Sequence, residues 1–255
     1  MDQKSSAADP AKTAASLRIH LNQMAAASQV LERNTRDEKG RAYLAVINQS
    51  ICRMLRIVGR LELSNRLDMA DPSLLSCQLL DLSQQMEVLS DRLKGVLEDI
   101  GISFTLKCPR FLSAEADATL LRQMLLELVS NLALVSTELT LSIVSADGTL
   151  TFSLQGNPPA EVENRTVLPS VLEGEEEQIS IDLARKIAEL HGGTLLIAPE
   201  PDGSLLFTAS LPHRQGHTFR LESVTVPWRA SGFDSVLVAM SQLLPPRSFL
   251  PEHLG

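Results

Sequence analysis

Two apolar stripes separated by a short polar break constrain this chain more than any other feature. Leu44, Ile47, Ile51, Met54, Val58 and Leu61 recur alternately three and four positions apart, which is a heptad seam along one face of a helix. Upstream, from about Ala11 to Arg33, Leu17, Leu21, Met24 and Leu31 form a second stripe, interrupted by Ser28. The intervening NTRDEKG, residues 34–40, is rich in turn formers, so the two helices are expected to fold back as a hairpin over residues 11–68. A two-helix hairpin cannot enclose its own seam. Pairing two copies into a four-helix bundle is the simplest solution, and a homodimer is expected. Packing of the hairpin on the rest of the chain is the alternative.

The chain has 255 residues, of which 44% are hydrophobic but only 4% aromatic. Leu, Ile, Val and Ala must therefore build the core, which favours helices on a sheet over an aromatic-rich β-sandwich. A net charge of −8 argues against a general nucleic-acid binder, because neutralising phosphates takes clustered Lys and Arg. Cys52, Cys77 and Cys108 are odd in number and lack C-x-x-C spacing, so they read as small apolar residues in a reducing compartment. Residues 1–10 are expected to be a disordered tail without the apolar core of a signal peptide. No membrane span is expected, and the reading is of a soluble, cytoplasmic protein.

Beyond a break at MADPSLL (69–75), a third helix is expected over Leu79–Asp99, a strand in GISFTLKCP, and a strongly apolar helix over Ala116–Val135. ELTLSIVSADGTLTFSLQG reads as a β-hairpin turning at Asp147–Gly148. NPPAEVENRTVLPSVLEGEEE (157–177) lacks periodicity and reads as a mobile loop; a helix ending at His191-Gly192-Gly193 follows. A second hairpin then turns at Pro201-Asp202-Gly203. The tail holds a strand-like HTFRLESVTVP, a short apolar helix in SVLVAMSQLL, and a Pro-rich end, PPRSFLPEHLG, expected along the surface or disordered. The fold class is α+β.

The order of these elements, the closing LARKIAELHGGTL, the segment SLRIHLN (16–22), the end of the second helix RMLRIVGRLELS (53–64) and the helix DATLLRQMLLELVSNLALVS (117–136) together resemble the catalytic core of bacterial sensor histidine kinases. The resemblance implies a dimerisation hairpin (11–68, a four-helix bundle as a dimer), then a histidine-kinase-like ATPase α/β sandwich (75–212). Residues 213–255 form a C-terminal extension without counterpart. It also implies two-component signalling, Mg-ATP as cofactor, and a response regulator or histidine kinase as partner.

Carried over residue by residue, Asn131 would ligate Mg²⁺ and Glu127, four positions earlier on the same face, would orient water or a metal ligand. Both are hard oxygen donors of the kind Mg²⁺ takes; the plain reading is two polar residues where an apolar helix meets solvent. The basic residue that often follows is Leu134 here. Where the family places an adenine-binding Asp, this chain reads Leu154-Gln155-Gly156-Asn157-Pro158-Pro159. Gln155 or Asn157 could make one hydrogen bond to adenine, while the prolines remove backbone donors. Where spaced glycines should let backbone N–H groups approach phosphates, Gln178-Ile179-Ser180-Ile181 stands after Glu173, Glu175, Glu176 and Glu177. Those acids suit a helix N-terminus and repel a polyphosphate. The phosphoacceptor's place is Ala15, followed by Ser16 in place of an acid; His20, five residues on, faces about 140° away.

Three functions follow. The leading one is a catalytically degenerate dimeric scaffold or regulator that docks a response regulator or kinase. The alternatives are a diverged but active Mg-ATP-binding kinase or ATPase, and a histidine phosphotransferase using His20.

Overall fold

The computed structural model describes residues 10–68, 75–159, 174–213, 229–230 and 233–250. The strand-like run at 217–227 and the greater part of the expected loop at 157–177 lie outside them. The chain divides into two compact units. One holds the N-terminal seventy residues with 229–241 and 245–255; the other holds 71–228 and 242–244.

In the first unit, α1 (Pro10–Asn34) and α2 (Glu38–Asp68) pack as an antiparallel hairpin. The Arg18 guanidinium bonds Glu62 Oε2 through Nε at 2.7 Å, and Ser28 Oγ donates to Asn48 Oδ1 at 2.6 Å. Ser28, which interrupts the apolar stripe in the sequence, is thus a buried polar tie. These contacts put Leu17 level with Leu61, Met24 with Met54, and Leu31 with Ile47. The heptad seam is split: Leu44, Ile51 and Val58 are buried, whereas Ile47, Met54 and Leu61 are exposed.

The C-terminal segment belongs to this unit. β8 (Arg229–Ala230) and β9 (Phe233–Asp234) pair, α6 (Ser235–Ala239) starts on an Asp234 cap, and a 3-10 turn spans Pro246–Phe249. α6 and the 3-10 turn pack on α2. Asn48 Nδ2 donates to the Phe249 carbonyl and Arg53 Nε to the Ser241 carbonyl, while Phe233, Val236, Met240 and Phe249 are fully buried. The described part of the Pro-rich end, 245–250, therefore departs from the surface or disordered course expected of it: Phe249 supplies an apolar anchor that overrides the prolines before it.

The second unit is a five-stranded sheet, ordered β2 (Ser103–Lys107), β4 (Glu138–Ala146), β5 (Thr149–Asn157), β7 (Leu205–Pro212), β6 (Thr194–Pro199). Only the β2–β4 pair is parallel. Helices α3 (Leu82–Glu98), α4 (Ala118–Leu132) and α5 (Glu175–Leu190) supply the apolar layer against it. Alternation sets the faces: Leu139, Leu141 and Ile143, then Leu150, Phe152 and Leu154, then Phe207, Ala209 and Leu211 are buried, with Ser and Thr between them.

The Asp147–Gly148 turn has both residues at positive φ, 49° and 70°, as a two-residue type I′ hairpin requires. A second, two-stranded sheet pairs β1 (Gln78–Asp81) with β3 (Ser113–Ala116). α3 consequently begins at Leu82, where Asp81 caps it by accepting from the Gln84 N–H.

Candidate functional site

α4 and α5 lie side by side, and the polar residues of α4 project into their contact. Asp117 caps α4 by accepting from the N–H groups of Thr119 and Leu120. One helical turn separates Glu127 from Asn131, and both are buried, at 3% and 0% exposure. Ser180 Oγ donates to Glu127 Oε2 at 2.5 Å, and Gln123 Nε2 donates to Oε1 at 2.7 Å. Asn131 Nδ2 donates to the Glu177 carbonyl at 3.3 Å. Among the described residues its Oδ1 is buried with no partner.

The opposing wall is the first half of α5. Gln178, Ile179, Ser180 and Ile181, at the glycine loop's place in the resemblance, are helical. Gly174 is the N-cap and contributes no side chain, so Glu175, Glu176 and Glu177 in the first turn oppose the helix dipole in its place. The far end of α5 is fastened to the start of α4 through His191. Its Nδ1–H donates to the Ile187 carbonyl at 2.8 Å and Nε2 accepts the Asp117 N–H at 3.3 Å, which fixes the neutral ring in one tautomer. Gly192 follows at φ 80°, and a Cβ on Gly193 would stand 2.1 Å from the Ser210 carbonyl oxygen. The His-Gly-Gly ending is thus a helix stop pressed against β7.

Gln155 and Asn157 do not join Glu127 and Asn131. A Cβ on Gly156 would meet Ser136 Oγ and the Leu132 side chain, so residue 156 faces α4. Its neighbours 155 and 157 point to the other face of the sheet. There Gln155 Nε2 donates to Ser204 Oγ at 3.0 Å and Asn157 Nδ2 to Glu138 Oε2 at 3.1 Å. His20 belongs to the first unit and is exposed on α1.

As a magnesium site this arrangement fits poorly. Mg²⁺ takes octahedral oxygen ligands and keeps several waters, whereas Glu127 is engaged by two donors and Asn131 Oδ1 is a single enclosed oxygen. Ser180 is the residue that sequence reasoning missed. Its only signal was a small hydroxyl where glycine was expected.

No protein-family model matches the chain. The fold aligns with full-length ShkA solved in complex with AMPPNP, at a TM-score of 0.64 and 19% identity over 81% of this chain and 46% of that one. It also aligns with the histidine kinase AdeS of Acinetobacter baumannii, at 0.51 and 14% identity over 78% and 96%. The chain thus spans about half the length of ShkA. No described helix is long and apolar enough to cross a membrane. With its helix hairpin followed by an ATPase-like α/β unit, this chain has the fold of a histidine-kinase catalytic core.

Proposed function

We propose that this chain is a catalytically degenerate, histidine-kinase-like signalling scaffold, working as a homodimer that docks a response regulator or a kinase. The observation that carries the reading is the closure of α5 on α4. The Ser180 hydroxyl and the Glu177 carbonyl engage Glu127 and Asn131, and three glutamates open the helix at the place the resemblance gives to phosphates. Thermal unfolding with and without millimolar Mg-ATP or Mg-ADP tests it. A ligand at about 100 times its dissociation constant adds about 2.7 kcal/mol, a rise of several degrees at roughly 2–4 °C per kcal/mol for a domain of this size. No shift is expected. A shift that disappears in Asn131→Ala overturns the degenerate reading.

The dimer rests on the open face of the hairpin. Leu17, Met24, Leu31, Tyr43, Ile47, Met54, Ile57 and Leu61 are 38–71% exposed. Together they offer on the order of 700 Å², close to the roughly 800 Å² per partner of a standard interface. On each helix the exposed stripe lies about a quarter turn from the buried one, and in an antiparallel pair both stripes turn to the same side. The C-terminal segment already packs on α2, against a different face of that helix. A second copy of the open face is the partner whose apolar levels match it.

The unpartnered Asn131 Oδ1 favours a second reading, a diverged site that still takes Mg-nucleotide when α5 moves. The exposure of His20 leaves a phosphotransferase as a third, recognised by acid-labile phosphate that is lost in His20→Ala.

A further inference from the structure

His20 is the one titratable residue in the open face of α1. Leu17, His20, Met24, Ala27 and Leu31 are spaced three, four, three and four apart and are all exposed. The matching stripe on α2 is Tyr43, Ile47, Ser50, Met54, Ile57 and Leu61, also exposed throughout. No residue of either stripe is formally charged at neutral pH. The hairpin register puts His20 level with Ile57, between the Leu17–Leu61 and Met24–Met54 levels. We infer that His20 lies inside the contact between two copies of this chain and that its protonation opens that contact, an inference resting on the dimer reading above.

The charges around that level give an imidazolium no counter-ion. On α1 the residues one turn away are Ser16, Leu17, Gln23 and Met24, none charged. α2 brings Arg53, Arg56 and Arg60 to this stretch, and its carboxylate there, Glu62, is already held by Arg18 at 2.6 Å. The C-terminal segment packed on α2 meets Arg53 through the Ser241 carbonyl. A neutral imidazole fits between apolar layers at the cost of one modest polar burial. A charged one would be desolvated without a partner, and each dimer would carry two. Acid therefore favours the separated copies, in which His20 meets water.

The test is sedimentation equilibrium of the full chain at about pH 8 and about pH 6, for wild type and His20→Leu, with circular dichroism on the same samples to separate dissociation from unfolding. The dissociation constant of the wild type is expected to rise at least about tenfold on acidification. His20→Leu is expected to dimerise at least as tightly at pH 8 and to lose that dependence. A monomer at both pH values overturns the dimer reading and this inference with it. A dimer of equal strength at both overturns the role of His20 alone, as does an unchanged pH response in His20→Leu.

Discussion

Ser180 Oγ and Glu127 Oε2 meet at 2.5 Å in a contact where neither residue exceeds 3% exposure. A hydroxyl at position 180 therefore fastens the first half of α5 to the middle of α4. In Ser180→Ala the buried carboxylate loses a donor and keeps its desolvation cost. Leaving a buried polar group short of a partner costs about 1–3 kcal/mol, so the urea midpoint should fall without a change in slope. Ser180→Thr, which keeps the hydroxyl, should recover part of the loss.

Two glycines of the second unit should differ in their tolerance of alanine. At Gly156 the nearest atoms to a new Cβ are side-chain atoms, Ser136 Oγ at 2.3 Å and Leu132 Cγ at 2.5 Å, and these can rotate away at part of the usual 1–3 kcal/mol cost of overpacking. At Gly193 the nearest atom is the Ser210 carbonyl oxygen at 2.1 Å, within the β6–β7 ladder. Gly193→Ala must move a strand, and thermal melts should rank it well below Gly156→Ala.

The contrast shows what was legible in the sequence. Both hairpin turns, at Asp147–Gly148 and at Pro201–Gly203, and the hairpin of α1 and α2 follow from local chemistry: turn residues between strictly periodic runs. β1 and β3 do not, because four residues such as Ser113-Ala114-Glu115-Ala116 are too few, and too poor in β-branched bulk, for their alternation to mark a strand, and only their mutual pairing makes them strands. The candidate site divides the same way. The helix spacing of Glu127 and Asn131 is a sequence property, but their burial depends on Ser180 and Glu177, some fifty residues away. The sequence likewise places Gln155 and Asn157 beside Glu127 and Asn131 by order alone, while strand alternation turns them to the opposite face of the sheet.

Asn48 joins three segments that lie far apart in the chain: it accepts from Ser28 on α1 and donates to the Phe249 carbonyl from α2. Asn48→Ala should leave both partners short. Asn48→Ala and Ser28→Ala combined should cost less than their separate effects added, because the double variant removes the orphan each single one creates. Interaction energies of about 0.5–3 kcal/mol are usual for residues in one network, and a double-mutant cycle in urea reads this one directly.

Met54 occupies the middle level of the exposed stripe, opposite Met24, and is 38% exposed in the single chain. Met54→Asp is therefore compatible with the folded hairpin, and its cost falls on the contact between two copies, where the new carboxylate would be buried unpaired. Light scattering should report a monomer with an unchanged far-ultraviolet spectrum. A dimer of undiminished strength would place the interface elsewhere.

Cys52 lies wholly inside the first unit, and burial pushes its thiol from the ordinary value of 9.0 up to about 12. The thiolate is the reactive form, so Cys52 should resist thiol reagents near neutrality in the folded protein, while Cys77 and Cys108, both partly exposed, provide the comparison. The same shift bears on stability. Below pH 9 the thiol is protonated in folded and unfolded chains alike and contributes no pH dependence. Between pH 9 and about 12 only the unfolded chain releases the proton, so stability falls as pH rises, by up to about 1.4 kcal/mol per pH unit. Cys52→Ala removes this proton while leaving the other titrating groups in place. The stability difference between wild type and variant, followed by urea unfolding from about pH 8 to about pH 10.5, should therefore shift steadily toward the variant, and a flat difference would mean that the thiol is not held in its protonated form.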